Sequence, residues 1–546
     1  MAQHIGPTHI PASVFSRLST DLKLEVFDVV RSKIDQGNAR LVSREWNHLI
    51  KPRMWRTFTT NLRGTSVKDF ETLVNGKNDC LQDIRELNVD ERHLGSDYYS
   101  NFRRFMDLLG DNQLVKFKSS KEGSISSRDL LCLLRRQSNL RGFSALLNLS
   151  DISTEDRASW VTGQTRFVTS ALHALRSLRV YVRDRPNENE YDRVTQEIEM
   201  ACTRLFISSA SLLRDLEICG SRHTWIDRVP LTALFGDSAN PTHVPSTLRR
   251  LLFSDMNFCG RANELLGTIN VATVHSLKLC YCDGVAPFIS ALAASFRQTG
   301  TQLKVLTVRT GKGARLGDNE GLPAAVDSLL SSFTGLEELE IDFMFCNLIN
   351  WKESLRFHQE NLKSLLIASD LMYFEHGWWA QIVEKIVEKC SHVEQFAYVP
   401  ADPCLGKVED CELSCSLDSS LHETLNAVAG APSIHVLRLL YVPGLTDAER
   451  DHRQERDWAE KARLMVQNFA TQVLRHLADR GSNVRLLAIS PVSQWKQDQS
   501  DINGHYYPHY YYRRKIAEVD GKGIVDAVPF RACLAESPNA TILKSF

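Results

Sequence analysis

The stretch LEELEI, residues 336–341, places apolar side chains at Leu336, Leu339 and Ile341. The last two alternate with acidic residues, which is typical of a short strand with one buried face. The same apolar-x-x-apolar-x-apolar pattern recurs between residues 84 and 484, about 33 residues apart on average, and such a period indicates a repeat architecture. The copies begin at Ile84, Leu114, Leu140, Leu175, Leu213, Leu248, Val274, Leu303, Leu336, Leu362, Val393, Ile434 and Val484, of which those at Leu114 and Leu140 are weaker.

Amphipathic segments with apolar residues at helical spacing lie between most of these copies. One short strand and one helix cannot bury an apolar face alone, so each unit must stack on its neighbours. The sequence therefore predicts an α/β fold with a stacked array over residues 61–490. A generic α/β domain whose buried strands happen to look alike is the alternative. The clearest helical segments are 129–136, 192–211, 286–296, 323–333 and 378–390.

The strand pattern Leu-x-x-Leu-x-Leu, with a helix in each unit, resembles the leucine-rich repeat family. The resemblance implies a curved solenoid of one strand plus one helix per unit, with the strands on its concave face. This family often has Asn or Cys three residues after the last strand leucine, where the side chain bonds the backbone of the turn. Cys282 stands at that position, whereas other copies have Met256, Gly311, Met344 and Asp370.

Residues 15–60 precede the array and are dense in apolar side chains. Ser19 is placed to cap a first helix, Gly37-Asn38 interrupts the pattern, and Pro52 suits the first turn of a third short helix. A chain of about forty residues cannot bury all of this apolar surface by itself, so the surplus is expected to face the rest of the chain or a partner. The residues expected on one side of the second helix are Leu41, Val42, Trp46 and Leu49.

The same segment resembles an F-box in three blocks that occur in order. The most specific block, Val-Ser-Arg-x-Trp, is matched by residues 42–46, and the Leu-Trp-Arg block is approximated by residues 52–56 (PRMWR). Ser19 stands where the family usually has proline, and the connector 31–37 departs from the family pattern. An ordinary helical cap on the array is the alternative. The residues that match the first block are Leu18, Asp21, Leu22, Val26 and Phe27.

The F-box resemblance implies that these helices bind a Skp-type adaptor and, through it, a cullin–RING ligase. Together the two resemblances imply a substrate-recognition subunit of an SCF-type E3 ubiquitin ligase, which holds a protein target on the repeats and forms no bond itself. The alternative is a leucine-rich-repeat interaction scaffold without a role in ubiquitin transfer. The residues that the resemblance assigns to adaptor contact or its support are Leu18, Leu22, Val26, Phe27, Leu41, Val42 and Trp46.

Side chains that alternate with the strand leucines are expected on the concave face, where a target would bind. They are charged in the middle of the array and unusually apolar in the late copies. The apolar part indicates either a protein-binding surface or a surface covered by the C-terminal residues or by the long helix described below. The residues predicted to contact a target are Arg250, Lys278, Arg309, Glu338, Glu340, Asp342, Leu366 and Arg438.

The C-terminal part of the chain departs from the repeat pattern. Thr446 and Glu449 form a capping-box pair that predicts a long helix over 446–480, with its first half solvated. Residues 491–546 are predicted to cap the open end of the array with a hairpin centred on Asp520-Gly521. The tyrosine-rich residues 506–512 are assigned to this cap, and binding of a peptide or nucleic acid by the tyrosines is the alternative.

Composition argues against several partner classes. The 65 Lys and Arg residues balance 66 Asp and Glu residues, so neither a nucleic acid nor an acidic membrane is predicted as a partner. Residues 1–14 lack the basic and apolar regions of a signal peptide and are expected to be flexible, and no apolar run is long enough to span a membrane. The 13 cysteines, an odd number, indicate reduced thiols and therefore a cytoplasmic or nuclear location.

Catalytic motifs are not recognisable in the chain, so no enzyme activity, cofactor or metal is predicted. Gly311-Lys312-Gly313 lacks the glycine spacing that wraps a phosphate. Cysteines and a histidine between residues 390 and 415 raise the possibility of a metal or thiol enzyme, but they include no Cys-x-x-Cys pair. These residues are Cys390, His392, Cys404, Cys411 and Cys415.

Overall fold

The computed structural model has a mixed α/β fold, and its contacts divide the chain into two compact units. Unit 1 is Met1–Tyr181 with Ser209–Ser211, and unit 2 is Val182–Ser208 with Leu212–Phe546. The predicted domain limits after residues 14, 60 and 490 stay predictions. The structure describes residues 18–29, 33–60, 80–89, 97–119, 124–149, 152, 168, 170–182, 190–220, 232–235, 244–258, 262–310, 321–343, 345–368, 378–400, 419–442, 458–491, 499–500, 506–507, 510–519, 522–530, 537 and 539–543.

Three helices open the described part of unit 1, and only the first of them matches its prediction. The Oγ atom of Ser19 accepts a hydrogen bond from the amide of Leu22 at 3.3 Å, so the predicted cap of the first helix is confirmed. Gly37 lies within the second helix, so the predicted break there is wrong. The helices are α1 (Thr20–Val29), α2 (Lys33–Ala39) and α3 (Arg44–Arg56).

The second and third helices differ from those predicted. Leu41 and Val42 lie in the turn between α2 and α3 rather than on a helix. The cause is Ser43, whose side chain accepts from the amide of Trp46 at 3.1 Å and thereby fixes the start of α3. Pro52 consequently falls inside α3 instead of in the first turn of a separate helix.

A parallel sheet follows these helices in unit 1. Its strands are β1 (Thr57–Thr60), β2 (Glu86–Val89), β3 (Lys116–Ser119), β4 (Ser124–Ser126), β5 (Gly142–Asn148) and β6 (Ser177–Tyr181), with β4 added beside β5. Helices α4 (Asp97–Leu108) and α5 (Ser127–Arg136) alternate with them along the chain. Aromatic rings hold this core together: the centroid of Phe58 lies 5.5 Å from that of Phe105, and Phe117 lies 5.8 Å from Phe143.

Unit 2 contains a parallel ladder of strands that pair in chain order. The buried leucines of successive strands lie level with one another: Leu306 is paired with Leu277 on one side and with Leu339 on the other. The structure has a strand at every copy of the repeat pattern in this unit and in unit 1, so these predicted strands are confirmed. The strands are β7 (Asp215–Cys219), β8 (Arg250–Ser254), β9 (Ser276–Cys280), β10 (Val305–Arg309), β11 (Glu338–Asp342), β12 (Ser364–Ala368), β13 (Gln395–Tyr398), β14 (Val436–Val442) and β15 (Leu486–Pro491).

Helices alternate with these strands along the chain, and the predicted helical segments are confirmed to within a few residues. The predicted start of the long helix at residue 446 lies outside the described residues. Among the helices that the structure describes, none is long and apolar enough to cross a membrane. The helices are α6 (Glu190–Ser209), α7 (Thr232–Phe235), α8 (Ala262–Thr268), α9 (Val285–Thr299), α10 (Leu322–Leu330), α11 (Trp351–Ser354), α12 (Trp378–Lys389), α13 (Ser419–Ala429) and α14 (Trp458–Asp479).

The last parallel strand is covered by a hairpin, as the sequence predicts, although the turn at Asp520-Gly521 lies outside the described residues. Strand β18 (Tyr510–Val519) pairs antiparallel with β15 and with β19 (Lys522–Pro529), and the short β16 (Gln499–Ser500) and β17 (Tyr506–Tyr507) form a separate pair. The tyrosines at 510–512 thus belong to the cap. A parallel ladder needs such cover because an open edge is a template for pairing with another chain.

Candidate functional site

Apolar side chains are exposed on the helices of unit 1. Leu22 is 48% exposed and Val26 is 42% exposed, and they lie four residues apart on one face of α1. In the turn before α3, Leu41 is 85% exposed and Val42 is 61% exposed. Four of the seven residues predicted to contact an adaptor therefore present apolar surface to solvent, which is the property that an association surface requires.

The other predicted adaptor residues are less exposed than these four. Phe27 is buried and meets Trp46 edge to face, with ring centroids 5.2 Å apart, while Leu18 and Trp46 are partly buried. Two polar contacts also join α1 to α3: the Nζ atom of Lys23 donates to Glu45 at 2.6 Å, and Arg53 donates to the carbonyl of Leu24 at 3.1 Å. These contacts fix the angle at which α1 presents its exposed side chains.

The predicted target-binding residues lie on one face of the unit 2 sheet, which we call the ladder face. It comprises the strand side chains that alternate with the buried leucines. The register places a residue of each strand level with the next, so that these side chains form a continuous row across the strands. The central row runs Lys278, Thr307, Glu340, Leu366, Ala397 and Arg438.

Two arginines of the ladder face form ion pairs with carboxylates of the same face. Arg250 is exposed and forms a bidentate ion pair with Asp215, at 2.5 and 2.7 Å. Arg309 and Glu340 form an ion pair that is largely buried, and Thr307 donates to the second oxygen of Glu340 at 3.3 Å. These four charged side chains are therefore held in place by one another rather than independently solvated.

A cavity of about 190 Å³ opens beside this buried ion pair. Its walls combine Lys278 and Glu338, at the polar end, with Leu366 on the apolar side. Part of its lining comes from a distant part of the chain, Thr541 and Ile542. The cavity therefore lies where the exposed and the covered parts of the ladder face meet.

Residues Asn539–Leu543, which we call the docked segment, cover the late part of the ladder face. Their last three residues form a short 3-10 helix. Gln395 donates to the carbonyl of Asn539 at 2.7 Å and accepts from the amide of Ile542 at 3.2 Å. Arg438 donates to the carbonyl of Ile542 at 2.6 Å. The segment is therefore bound through its main chain by two side chains of the sheet.

This cover corrects the prediction for two residues. Leu366 and Arg438 were predicted to contact a target from an exposed surface, but both are buried beneath the docked segment. The predicted target contacts Arg309, Glu340 and Asp342 are buried as well, in the middle of the ladder face. Of the two explanations for the apolar late copies, cover by C-terminal residues is the one observed. Sequence reasoning did not single out Gln395. The signal in the sequence that points to a covered surface is Arg438, since an arginine among apolar side chains of the ladder face needs hydrogen-bond acceptors from elsewhere in the chain.

The cysteines in the described part of the chain are free thiols. Within that part, no group of three or more His, Cys, Asp and Glu side chains is arranged to hold a metal ion. Cys404, Cys411 and Cys415 lie outside the described residues, so the predicted absence of a metal stays a prediction. Cys282 has the role expected of its position, because its Sγ atom donates to the carbonyls of Cys280 at 3.3 Å and Phe253 at 3.5 Å.

A comparison with models of known protein families finds no match, and no curated protein is significantly similar to the chain.

Proposed function

We propose that this protein is the substrate-recognition subunit of an SCF-type E3 ubiquitin ligase and carries out no catalysis itself. In this proposal α1, α2 and α3 act as an F-box that binds a Skp-type adaptor, and the repeat array of unit 2 binds the target. The observation that carries the proposal is the exposure of Leu22, Val26, Leu41 and Val42, which lie in or next to the blocks that resemble an F-box and present apolar surface to solvent.

The energetics of docking favour these side chains as the contact. Complete burial of a leucine or valine side chain contributes about 1.5–3 kcal/mol, and several half-exposed side chains together can support a stable interface. Phe27 and Trp46 contribute indirectly, because their edge-to-face contact holds α1 against α3. An adaptor would therefore be held by the exposed residues and lost when one of them becomes charged.

The proposed receptor accelerates ubiquitin transfer by proximity. A target held on the ladder face has its lysines at high effective concentration near the loaded conjugating enzyme. The exposed Arg250–Asp215 pair and the half-buried Lys278 offer charged contacts for such a target. The chain itself needs no nucleophile or general base for this role.

Co-expression with a Skp-type adaptor tests the proposal. We expect a one-to-one complex that Leu22→Asp abolishes. Leu212→Asp is the matched control, because Leu212 is 47% exposed, as Leu22 is 48% exposed, but belongs to unit 2. If both variants keep the adaptor, the assignment of the interface to α1 is wrong.

The second candidate is a repeat scaffold that binds a partner without ubiquitin transfer. It is favoured by Ser19, which stands in the place of the usual F-box proline and caps α1 through the amide of Leu22. A well-folded chain that does not bind the adaptor would support this candidate and end the ligase proposal.

A further inference from the structure

The docked segment lies on the ladder face in the manner of a bound peptide. Three hydrogen bonds tie it to Gln395 and Arg438, and each of them uses a main-chain atom of the segment. A side-chain contact between Thr541 and Ser364, at 3.5 Å, is at the limit of a hydrogen bond. The main chain of another peptide could therefore replace these three hydrogen bonds.

The apolar contacts of the segment define a simple side-chain pattern. Ala540, Ile542 and Leu543 are all buried in one apolar cluster with the ladder face. The pattern is a small residue, any residue, and then two aliphatic residues. The ladder-face residues that form the floor beneath them are Leu366, Ala368, Ala397, Val436, Leu440 and Ala488.

Arg438 keeps hydrogen-bond partners when the segment leaves. Its Nε and Nη2 atoms donate to the hydroxyl of Ser490 at 3.2 and 3.1 Å, and both residues belong to the sheet itself. The Nη1 atom would exchange the carbonyl of Ile542 for water. Departure of the segment therefore hydrates a guanidinium that remains oriented for the next peptide carbonyl, instead of leaving it buried without an acceptor.

The groove is longer than the segment that occupies it. The cavity of about 190 Å³ continues from Thr541 and Ile542 toward Lys278 and Glu338. This volume holds several water molecules, whose share of liquid volume is about 30 Å³ each. A longer peptide could place a further side chain in this cavity and gain contacts that the docked segment does not make.

We propose that the ladder face of β12–β15 is a peptide-binding groove that this chain fills with its own residues 539–543 until a target displaces them. The target is a peptide with a small residue followed, after one intervening residue, by two aliphatic residues. Its main chain is bound by Gln395 and Arg438, and its flanking residue enters the cavity beside Lys278. This inference rests on the proposed function, since it names the class of target that the array takes.

An intramolecular occupant competes at the high effective concentration that a tether provides, typically in the millimolar range. The free chain is therefore expected to bind an added peptide weakly. Loss of docking should raise the apparent affinity for that peptide by about tenfold or more. A permanently packed core segment would show no such competition.

The test uses the full chain and a fluorescein-labelled peptide of residues 537–546 (SPNATILKSF), with binding followed by anisotropy. The Ile542→Asp chain should bind this peptide about tenfold or more tightly than the wild-type chain does. The same peptide with Ile542→Asp should not bind. Ile516→Asp is the matched control, because Ile516 is an exposed isoleucine of β18, and this chain should behave like the wild type. Equal binding by all chains, or no binding by any, would overturn the proposal.

Hydrogen exchange on the wild-type chain decides the question even if Ile542→Asp does not fold. Amides of residues 539–543 should exchange by local opening, about tenfold or more faster than those of β14. If the amides of residues 539–543 and those of β14 all exchange only when the whole chain unfolds, the docked segment is a permanent part of the core and the proposal is overturned. Adaptor binding is a separate readout: a chain that binds the adaptor but not the peptide retains the ligase role and loses only this groove.

Discussion

Arg438, which is fully buried in β14, donates a hydrogen bond to the carbonyl oxygen of Ile542, 104 residues further along the chain, at 2.6 Å. The contact explains how an arginine is accommodated among apolar rungs. Its guanidinium also donates to Ser490, so one side chain ties the sheet to the docked segment.

Replacing this arginine is expected to release the docked segment. Arg438→Met removes the contact to Ile542 while it keeps most of the aliphatic stem, and it leaves a carbonyl without its donor, which costs about 1–3 kcal/mol if the carbonyl stays buried. Exchange of the amides of residues 539–543 should therefore accelerate. Ser490→Ala is the control, because it removes a hydrogen-bond acceptor of Arg438 within the sheet and leaves the bond to Ile542 in place. Equal acceleration in both variants would contradict the account.

Acid should weaken unit 2 through His358. Its ring is fully buried, accepts at Nδ1 from the amide of Leu336 at 3.3 Å and donates from Nε2 to the carbonyl of Leu330 at 2.9 Å. Burial lowers the pKa of His358 from 6.5 to about 4, since it penalises the charged ring. Between these values the unfolded chain binds a proton that the folded chain does not. The free energy of unfolding should fall by about 3 kcal/mol as the pH drops from 7 to 4.

The variant His358→Gln should lose this part of the pH dependence. His392→Gln, at an exposed histidine, should retain it. Urea unfolding at several pH values measures the difference. If the free energy of unfolding of His358→Gln falls with pH as steeply as that of the wild-type chain, His358 is not the cause of the pH dependence.

Two glycines of unit 2 should respond oppositely to alanine. A Cβ atom at Gly220 would lie 2.2 Å from the backbone oxygen of Asp255. Gly220→Ala must therefore displace the main chain and is expected to lower the free energy of unfolding by about 3 kcal/mol. A Cβ atom at Gly267, within α8, meets no atom within 4 Å. Gly267→Ala should stabilise the helix by about 0.5–1 kcal/mol. Thermal unfolding midpoints that shift equally would contradict the described packing.

Helix α14 covers the outer edge of the cap hairpin, strand β19, and should protect it from pairing with another chain. Gln467 and Arg475 donate to the carbonyls of Ala527 and Val525 at 3.1 and 2.8 Å, and Thr471 accepts from the amide of Ala527 at 3.3 Å. The double variant Gln467→Ala with Thr471→Val is expected to have a free energy of unfolding lower by about 1–3 kcal/mol. It should also aggregate more readily, because the backbone groups of Ala527 become available for pairing with another chain. Light scattering during mild heating checks this, and unchanged aggregation would contradict it.

Local patterns account for the strands of this fold but not for the cover of the ladder face. Alternation such as Leu339 and Ile341 fixes which face of a strand is buried, and the same short pattern recurs in every unit although the spacing varies, so the ladder could be predicted. Leu41 was predicted on a helix because of its helical spacing, but the cap at Ser43 starts the helix after it. The docked segment escaped prediction because it is short and its partner Gln395 is 147 residues away from Ile542.

Co-purification with a Skp-type adaptor, followed by size exclusion with mass determination, tests the central claim most directly. The account predicts that the 61.9 kDa chain elutes with one adaptor molecule. It also predicts that Leu22→Asp returns the chain to its uncomplexed mass and that Leu212→Asp leaves the complex intact. A folded wild-type chain that elutes alone in the presence of excess adaptor would contradict the account.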